Sequence, residues 1–440
     1  MTTVPSGLNS TSIKEPPKTR QKFTRRTLLK TAATAAAGAA ALPYLIPSSA
    51  LGDERKAPPS ERIALGHIGV GARGRDLFRG FQLCETAQSV AVADCFASRR
   101  EAIAKECGGK AYTDFRELLA DPKIDAVVVA TPDHWHVPIA NAAAKAKKHA
   151  YVEKPLAASI EQDLDCRKLF LENKLVFQYG TQQRSMAHCR FGCELVRSGK
   201  IGKLESMEVA CYDGAAGGSK KEAPVPPGFD FKMWTGPAPE VPYSLGRCEP
   251  CGTYWIYDYS IGYLGGWGAH PLDIMVWGSD SDLAGPYEIE GKGEVPTEGL
   301  YDTVIHWDMK GRFADGVNFA FTTMEGDRTK FIGTEGWLTI SRGGLDAEPK
   351  SLLQLKLGPN DAHLPESMRH DQNFLDAIRD SGKAISSIAD AVRSDVISQL
   401  CNIAVRTGRK IKWDPKTDAI LGDEEAAKLM HREMRPPWTL

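Results

Sequence analysis

"RIALGHIGVGARGRDLFRGFQL", residues 62–83, is the stretch on which the fold turns. It opens as an apolar run suited to a buried strand and closes, in ARGRDLFRGFQL, with helix-like spacing. Between the two lies Gly69-x-Gly71-x-x-Gly74. The first glycine permits a tight turn, the second lets backbone approach a pyrophosphate, and the third allows close helix packing. A helix starting there offers amide donors and the positive end of its dipole. Asp94 ends the next apolar run, about 20 residues on, where a carboxylate takes a ribose hydroxyl. The context predicts a dinucleotide site built from Gly69, Gly71, Ala72, Arg73, Gly74 and Asp94. The bland alternative is a glycine-rich turn without a nucleotide. Asp94 favours NAD, because a carboxylate repels a 2′-phosphate. Arg99 and Arg100 follow closely and leave NADP open.

Helix and strand patterns alternate outward from this point over 61–182. SVAVADC and IDAVVVATP read as strands, and the second is apolar enough to be buried on both faces. SRREAIAKECG reads as a helix with Ser98 as a plausible cap and Gly108 as its stop. DFRELLAD, HVPIANAAAKAKK and SIEQDLDCRKLFLENK read as further helices, HAYVEKP and LVFQYGTQQ as further strands. The alternation predicts a doubly wound α/β, Rossmann-type domain. After it, LESMEVACY, TVIHWDM, GVNFAFTTM and KFIGTEGWLTI read as longer strands without a helix between each pair. They predict an α+β domain over 183–440 with a large, mostly antiparallel open sheet. Residues 212–260 are rich in Gly, Pro and aromatics and read as long ordered loops. QNFLDAIRDSG and DAVRSDVISQLCNIAVRTG read as late helices.

The chain has 440 residues and a net charge of -1, unevenly spread. Residues 1–30 carry seven basic side chains against Glu15, so the remainder is acidic by about seven charges. That sign argues against nucleic acid as the main partner. Arg25 and Arg26 precede a small, apolar, Ala-rich segment and then Ser48-Ser49-Ala50. Residues 1–50 therefore read as an export signal of twin-arginine type, with the twin-arginine machinery as partner and an extracytoplasmic destination. Residues 51–60, with Pro58 and Pro59, read as a linker. Ten scattered cysteines are too few for a disulfide framework. Cys248 and Cys251 have zinc-like spacing without a second pair, so no metal site is expected, while a local disulfide stays open.

Two motifs carry chemistry. In AYVEKPLA, residues 150–157, Glu153 and Lys154 point to opposite sides of a strand end and cannot simply neutralise each other. Either both are solvated, or the strand end aims a lysine into a cleft. In GGWGAHPLDIMVWG, residues 265–278, Pro271 suits the first turn of a helix, and His270, Asp273 and Trp277 share a face. A histidine at a helix N-terminus is biased to its neutral form and can accept a proton. An N-cap or packing role is the alternative for His270, and a helix-stabilising carboxylate for Asp273. His134 and His136 follow the third strand, where the crevice of such a sheet opens, though both also suit a helix start. Gln183 and Arg184 begin the crossing to the second domain and could hold ligand hydroxyls or only cap a strand. Trp234, Trp255 and Trp267 could stack on sugar rings or be buried.

With the glycine fingerprint, TPDHWH (131–136) and EKP (153–155) in this order, the chain resembles the Gfo/Idh/MocA oxidoreductase family, most of all its exported members. VRSGKIGKL, MWTGPAP, GTEGWL and NIAVRTGRKIKWDP resemble that family's second domain. The resemblance implies an NAD(P)-dependent oxidoreductase acting on a hydroxyl of a sugar or cyclic polyol, with 183–440 as its substrate and homo-oligomer domain. It implies that Lys154 meets the reacting hydroxyl, Glu153 faces the nicotinamide ribose, and a cis bond precedes Pro155. It implies that Thr131, Pro132 and His136 line the cofactor, that His270 is catalytic, and that Asp273 and Tyr263 face substrate. One departure stands out: the family usually carries an aspartate where this chain has Gly266, so a relay could come from Asp258, Tyr259 or Tyr263. A cofactor loaded before folded export would be tightly held, which favours a redox-neutral cycle. Two further functions follow: an NAD-dependent glycosidase working by transient oxidation and elimination, and a non-catalytic nucleotide-binding scaffold or sensor.

Overall fold

The computed structural model describes residues 61–248 and 252–440. The paired arginines, the 51–60 linker and any Cys248–Cys251 pairing fall outside the described residues. Among those residues, no helix is long and apolar enough to cross a membrane.

The first sheet has six parallel strands: β1 (Ile63–Ile68), β2 (Ala87–Ala93), β3 (Lys110–Tyr112), β4 (Ala126–Val129), β5 (His149–Val152) and β6 (Phe177–Tyr179). Their order is β3-β2-β1-β4-β5-β6. The strands are short and apolar because helices cover both faces; every residue of β4 is buried. The order reverses between β1 and β4, and a crevice opens at the carboxyl ends of those strands. Gly69 turns the chain there at φ +79. A Cβ on Gly74 would stand 2.0 Å from the Gly69 carbonyl oxygen, so the helix Ala72–Gln82 can start this close only without a side chain.

The second sheet has nine strands in the order β13-β12-β11-β7-β10-β9-β8-β14-β15. They are β7 (Leu204–Cys211), β8 (Tyr287–Glu294), β9 (His306–Arg312), β10 (Asn318–Thr323), β11 (Arg328–Gly333), β12 (Gly336–Ser341), β13 (Gly344–Glu348), β14 (Ile411–Asp414) and β15 (Ala419–Ile420). The β7–β10 pair is parallel and the others are antiparallel. Burial alternates along β9 and β10, so one face packs inward and the other stays open.

Four expectations change. KFIGTEGWLTI is a hairpin rather than one strand, because Thr334 and Glu335 turn between β11 and β12. Ser98 lies inside the helix Ala97–Cys107; the chain enters at Phe96, whose amide donates to Asp94. The strand at HAYVEKP ends at Val152, so Glu153 and Lys154 lie just beyond it. The late helix His370–Arg379 returns to the first domain, where Phe374 meets Phe81 and Tyr151 edge to face at 6.2 and 6.0 Å. A domain boundary drawn once along the chain misses that return.

Candidate active site

The crevice is a cavity of about 330 Å³ lined by Gly69, Gly71, Ala72, Arg73, Asp94, Thr131 and Pro132 from the first domain, with Trp234 and Tyr254 facing them from the second. Asp94 is held by two backbone amides: Val70 N and Phe96 N each donate to it at 2.8 Å. Burial raises its pKa, and those two hydrogen bonds oppose the rise. Thr131 Oγ1 is buried without a partner, which a bound group at the glycine turn would supply. Side-chain-free backbone at Gly69 and Gly71, a carboxylate fixed at the end of β2 and an orphaned hydroxyl fit a dinucleotide. Gly74 stands behind the turn and serves helix packing instead. The chain's later loop closes over the Asp94 end: Phe229 stacks on Phe96 at 3.9 Å, and the Arg99 guanidinium lies 3.9 Å over the same ring. Arg100 Nη1 donates to the Asp94 carbonyl at 3.2 Å.

Glu153 and Lys154 part company, as the alternation of an extended chain requires. Glu153 is buried and paired with Arg73 of the glycine turn, whose Nε and Nη2 both lie 2.7 Å from Oε1. Gln182 Nε2 donates to the same oxygen at 3.0 Å and to Tyr151 at 2.9 Å. The Arg73–Glu153 pair links the turn after β1 to the segment after β5.

Lys154 reaches toward the second domain. Its Nζ donates to the Gly266 carbonyl at 2.9 Å and lies 5.8 Å from the Trp267 ring centroid and 5.9 Å from that of Tyr254. Burial lowers its pKa, and the Glu153 and Asp133 charges oppose the drop. The peptide bond to Pro155 is cis. A Cβ on Gly266 would meet only Tyr254 and Tyr263 at 3.7 Å, so the glycine is not demanded by space.

His270 begins the helix Ala269–Ser279, with its ring 5.7 Å from Trp267. It is buried, and its Nδ1 has no partner. Burial first, then the charges of Lys154, Arg342 and Arg73, holds its pKa well below 6.5. The neutral imidazole expected from the helix end is thus present, but burial and neighbouring cations account for it. Lys154 and His270 flank one half-buried indole, that of Trp267.

Several expected ligands are used elsewhere. Arg184 and Asp273 bind each other: Nε and Nη2 donate to the two carboxylate oxygens at 2.7 Å each, and both residues are buried. Trp277 packs on the same guanidinium at 5.2 Å. In place of touching substrate, this pair anchors the His270 helix to the crossover. Gln183 Nε2 donates to Asp327 at 3.0 Å. His136 is a strut, with Nδ1 at 2.7 Å from the Pro155 carbonyl and Nε2 at 2.9 Å from that of Thr131, rather than a cofactor ligand. His134 faces the Trp234 carbonyl at 3.1 Å. Tyr263 packs against Trp255 at 4.4 Å and Trp267 at 6.4 Å, at the rim. Of the proposed relays, Tyr259 is buried against His134 and accepts from Arg247 at 3.1 Å, and Asp258 is exposed beside a different cavity.

Two residues were missed. Asp133, inside TPDHWH, is a buried carboxylate close to Lys154 that accepts from Ser260 Oγ at 2.6 Å. Its position just after β4 was the available signal. Arg342, in the turn between β12 and β13, gave none.

Residues 63–181 match the family described as "Oxidoreductase family, NAD-binding Rossmann fold", and residues 212–440 match "Oxidoreductase family, C-terminal alpha/beta domain", the two halves of Gfo/Idh/MocA. Among relatives, the chain is 29% identical to myo-inositol 2-dehydrogenase of Thermotoga maritima over 178 residues, covering 40% of this chain and 49% of that protein. It is 32% identical to glycosyl hydrolase family 109 protein 2 of Shewanella sp. (strain ANA-3) over 214 residues, covering 43% and 46%. The chain thus spans about half the length of these relatives. A levoglucosan dehydrogenase solved with NADH and levoglucosan has the same fold, with TM-score 0.60 and 17% identity over 80% of this chain and 99% of that one. An aldose–aldose oxidoreductase from Caulobacter crescentus matches with TM-score 0.60 and 18% identity over the same shares.

Proposed function

The chain belongs to the Gfo/Idh/MocA oxidoreductase family, and from that premise we propose that it is an NAD-dependent oxidoreductase acting on a hydroxyl of a sugar or cyclic polyol. The observation that carries this reading is the convergence of Lys154 and the neutral His270 on Trp267, with Lys154 also 5.9 Å from Tyr254, which lines the cavity of the glycine turn and Asp94. Bound NAD+ supplies the hydride acceptor. Asp94 and the Gly69–Gly71 backbone hold the dinucleotide, and Thr131 Oγ1 gains a partner. The Arg73–Glu153 pair fixes the lip of the cleft. Lys154 has donors left after Gly266 and directs one at the carbinol oxygen as charge develops there. His270 takes the hydroxyl proton, its lowered pKa keeping it unprotonated. Trp267 and Tyr254 offer ring faces for the apolar side of a sugar.

The test is to incubate the purified holoprotein with sugars, cyclic polyols and glycosides and follow reduced-nicotinamide absorbance. Growth of that band with a polyol or sugar supports the reading; no substrate across the panel overturns it. A second reading, oxidation-dependent glycoside cleavage, is favoured by the named glycosyl hydrolase relative. Release of chromophore from a nitrophenyl glycoside without net nicotinamide reduction selects it. We extend the proposal to export through Arg25 and Arg26, and to assembly through the open face of the second sheet, whose outward residues include Asp308, Lys310 and Arg312.

A further inference from the structure

We propose that the substrate is an acidic sugar, a pyranoside bearing a carboxylate, and that Arg342 is the residue that selects it. This rests on reading the cleft as a sugar oxidoreductase site and names the substrate class.

Arg342 stands in the turn between β12 and β13, and that turn is pinned. His188 Nε2 bonds the Ser341 carbonyl at 2.9 Å, and Ser341 Oγ donates to the Gly344 carbonyl at 3.3 Å. From there the guanidinium leans over Trp267, 5.9 Å from its ring centroid. Lys154 Nζ lies 5.8 Å from the same ring. Two cations therefore border one aromatic platform, with His270 beside it.

The nearby carboxylates, Glu153 and Asp133, offset part of the Lys154 charge but form no ion pair with either cation. Glu153 is paired with Arg73. Asp133 is buried and bonded to Ser260. Lys154 Nζ bonds only a neutral carbonyl, and Arg342 joins no salt bridge among the described residues. Three cations, Lys154, Arg342 and Arg73, add to the burial that depresses the His270 pKa. A neutral sugar would leave these charges without an anion bound beside Trp267. A carboxylate would relieve them, and the planar fork of a guanidinium matches it with two parallel hydrogen bonds. Lys154 then remains for the reacting hydroxyl.

The experiment is calorimetric titration of the NAD-loaded protein with matched pairs: methyl glucuronide against methyl glucoside, and methyl galacturonide against methyl galactoside. Glucose 6-phosphate is a third arm. In one pair or the other the acid should bind about tenfold or more tightly than its neutral partner, a charge-assisted pair being worth at least that factor. Arg342→Gln should shrink that ratio by about tenfold, and Arg342→Lys should restore part of it. Equal affinities within both pairs, or a preference that survives Arg342→Gln, would overturn the proposal. Tighter binding of the phosphate than of either uronate would overturn the carboxylate assignment. Nicotinamide absorbance in the same samples separates the two readings. Neutral sugars oxidised with no acid preference defeats this inference alone. Acids bound through Arg342 but nothing oxidised defeats the proposed activity alone.

Discussion

Lys154 Nζ donates to the carbonyl oxygen of Gly266 at 2.9 Å, joining the end of β5 to the segment that leads into the His270 helix. The ammonium is thereby oriented by a neutral group, and burial lowers its pKa from 10.5. The proposed mechanism needs Lys154 charged and His270 neutral. Activity should therefore fall as pH rises through a Lys154 pKa below 10.5. On the acid side it should persist below pH 6.5, because the His270 value lies well below that. Gly266→Asp meets ordinary contacts at Cβ and adds a carboxylate at the residue whose carbonyl holds the ammonium, so its alkaline limb should move to higher pH. The pH profile of kcat/KM checks both statements; an unmoved alkaline limb would deny the contact a role in catalysis.

The Arg184–Asp273 pair predicts a stability effect. Asp273→Ala leaves a buried guanidinium with Asp390 at 3.3 Å and the Ile385 carbonyl at 3.2 Å as its remaining polar partners, and should cost about 3 kcal/mol in urea unfolding. Replacing both, Arg184→Met with Asp273→Leu, should recover much of that loss. A fully stable Asp273→Ala protein would show that the pair does not anchor the helix.

Asp94→Asn keeps the shape but turns an acceptor into a donor facing a backbone amide. NADH affinity should drop about tenfold or more, the scale of a hydrogen bond to a charged group. The gap to NADPH should narrow, because the charge that repels a 2′-phosphate is gone. Fluorescence titration of the cofactor-stripped protein with both reduced nucleotides reads the two effects.

What the sequence revealed follows from which interactions are local. The turn from Gly69 to Gly74 and the position of Asp94 are set by spacing within one β-α-β unit, and they read directly. The Arg73–Glu153 pair spans two such units, so each side chain was legible as a site residue but not as the other's partner. Arg184 and Asp273 were read as substrate ligands because a polar side chain aimed at a ligand looks the same, in one dimension, as one aimed at another side chain. Arg342 could not be read, since only the second sheet's hairpin brings it over Trp267. The return of His370–Arg379 to the first sheet was hidden for the same reason: its apolar spacing states that a face is buried, not against what.

Arg25 and Arg26 predict a processing phenotype. With both replaced by lysine, the precursor should accumulate in the cytoplasmic fraction while folding and binding cofactor normally. Normal export of that variant, judged by fractionation, would remove the twin-arginine assignment.

The most direct measurement is turnover of the best substrate from the panel by Lys154→Met, His270→Ala and the double variant, with bound NAD quantified in each. Loss of a general base costs about 10²–10⁴ in rate, and loss of one preorganised donor about 10²–10³. Each single variant should fall by such a factor while keeping its cofactor, and the double should fall by less than the product, since both groups serve one transition state. A His270→Ala protein with full cofactor and near-normal turnover would contradict the assignment of Lys154 and His270 to one hydroxyl.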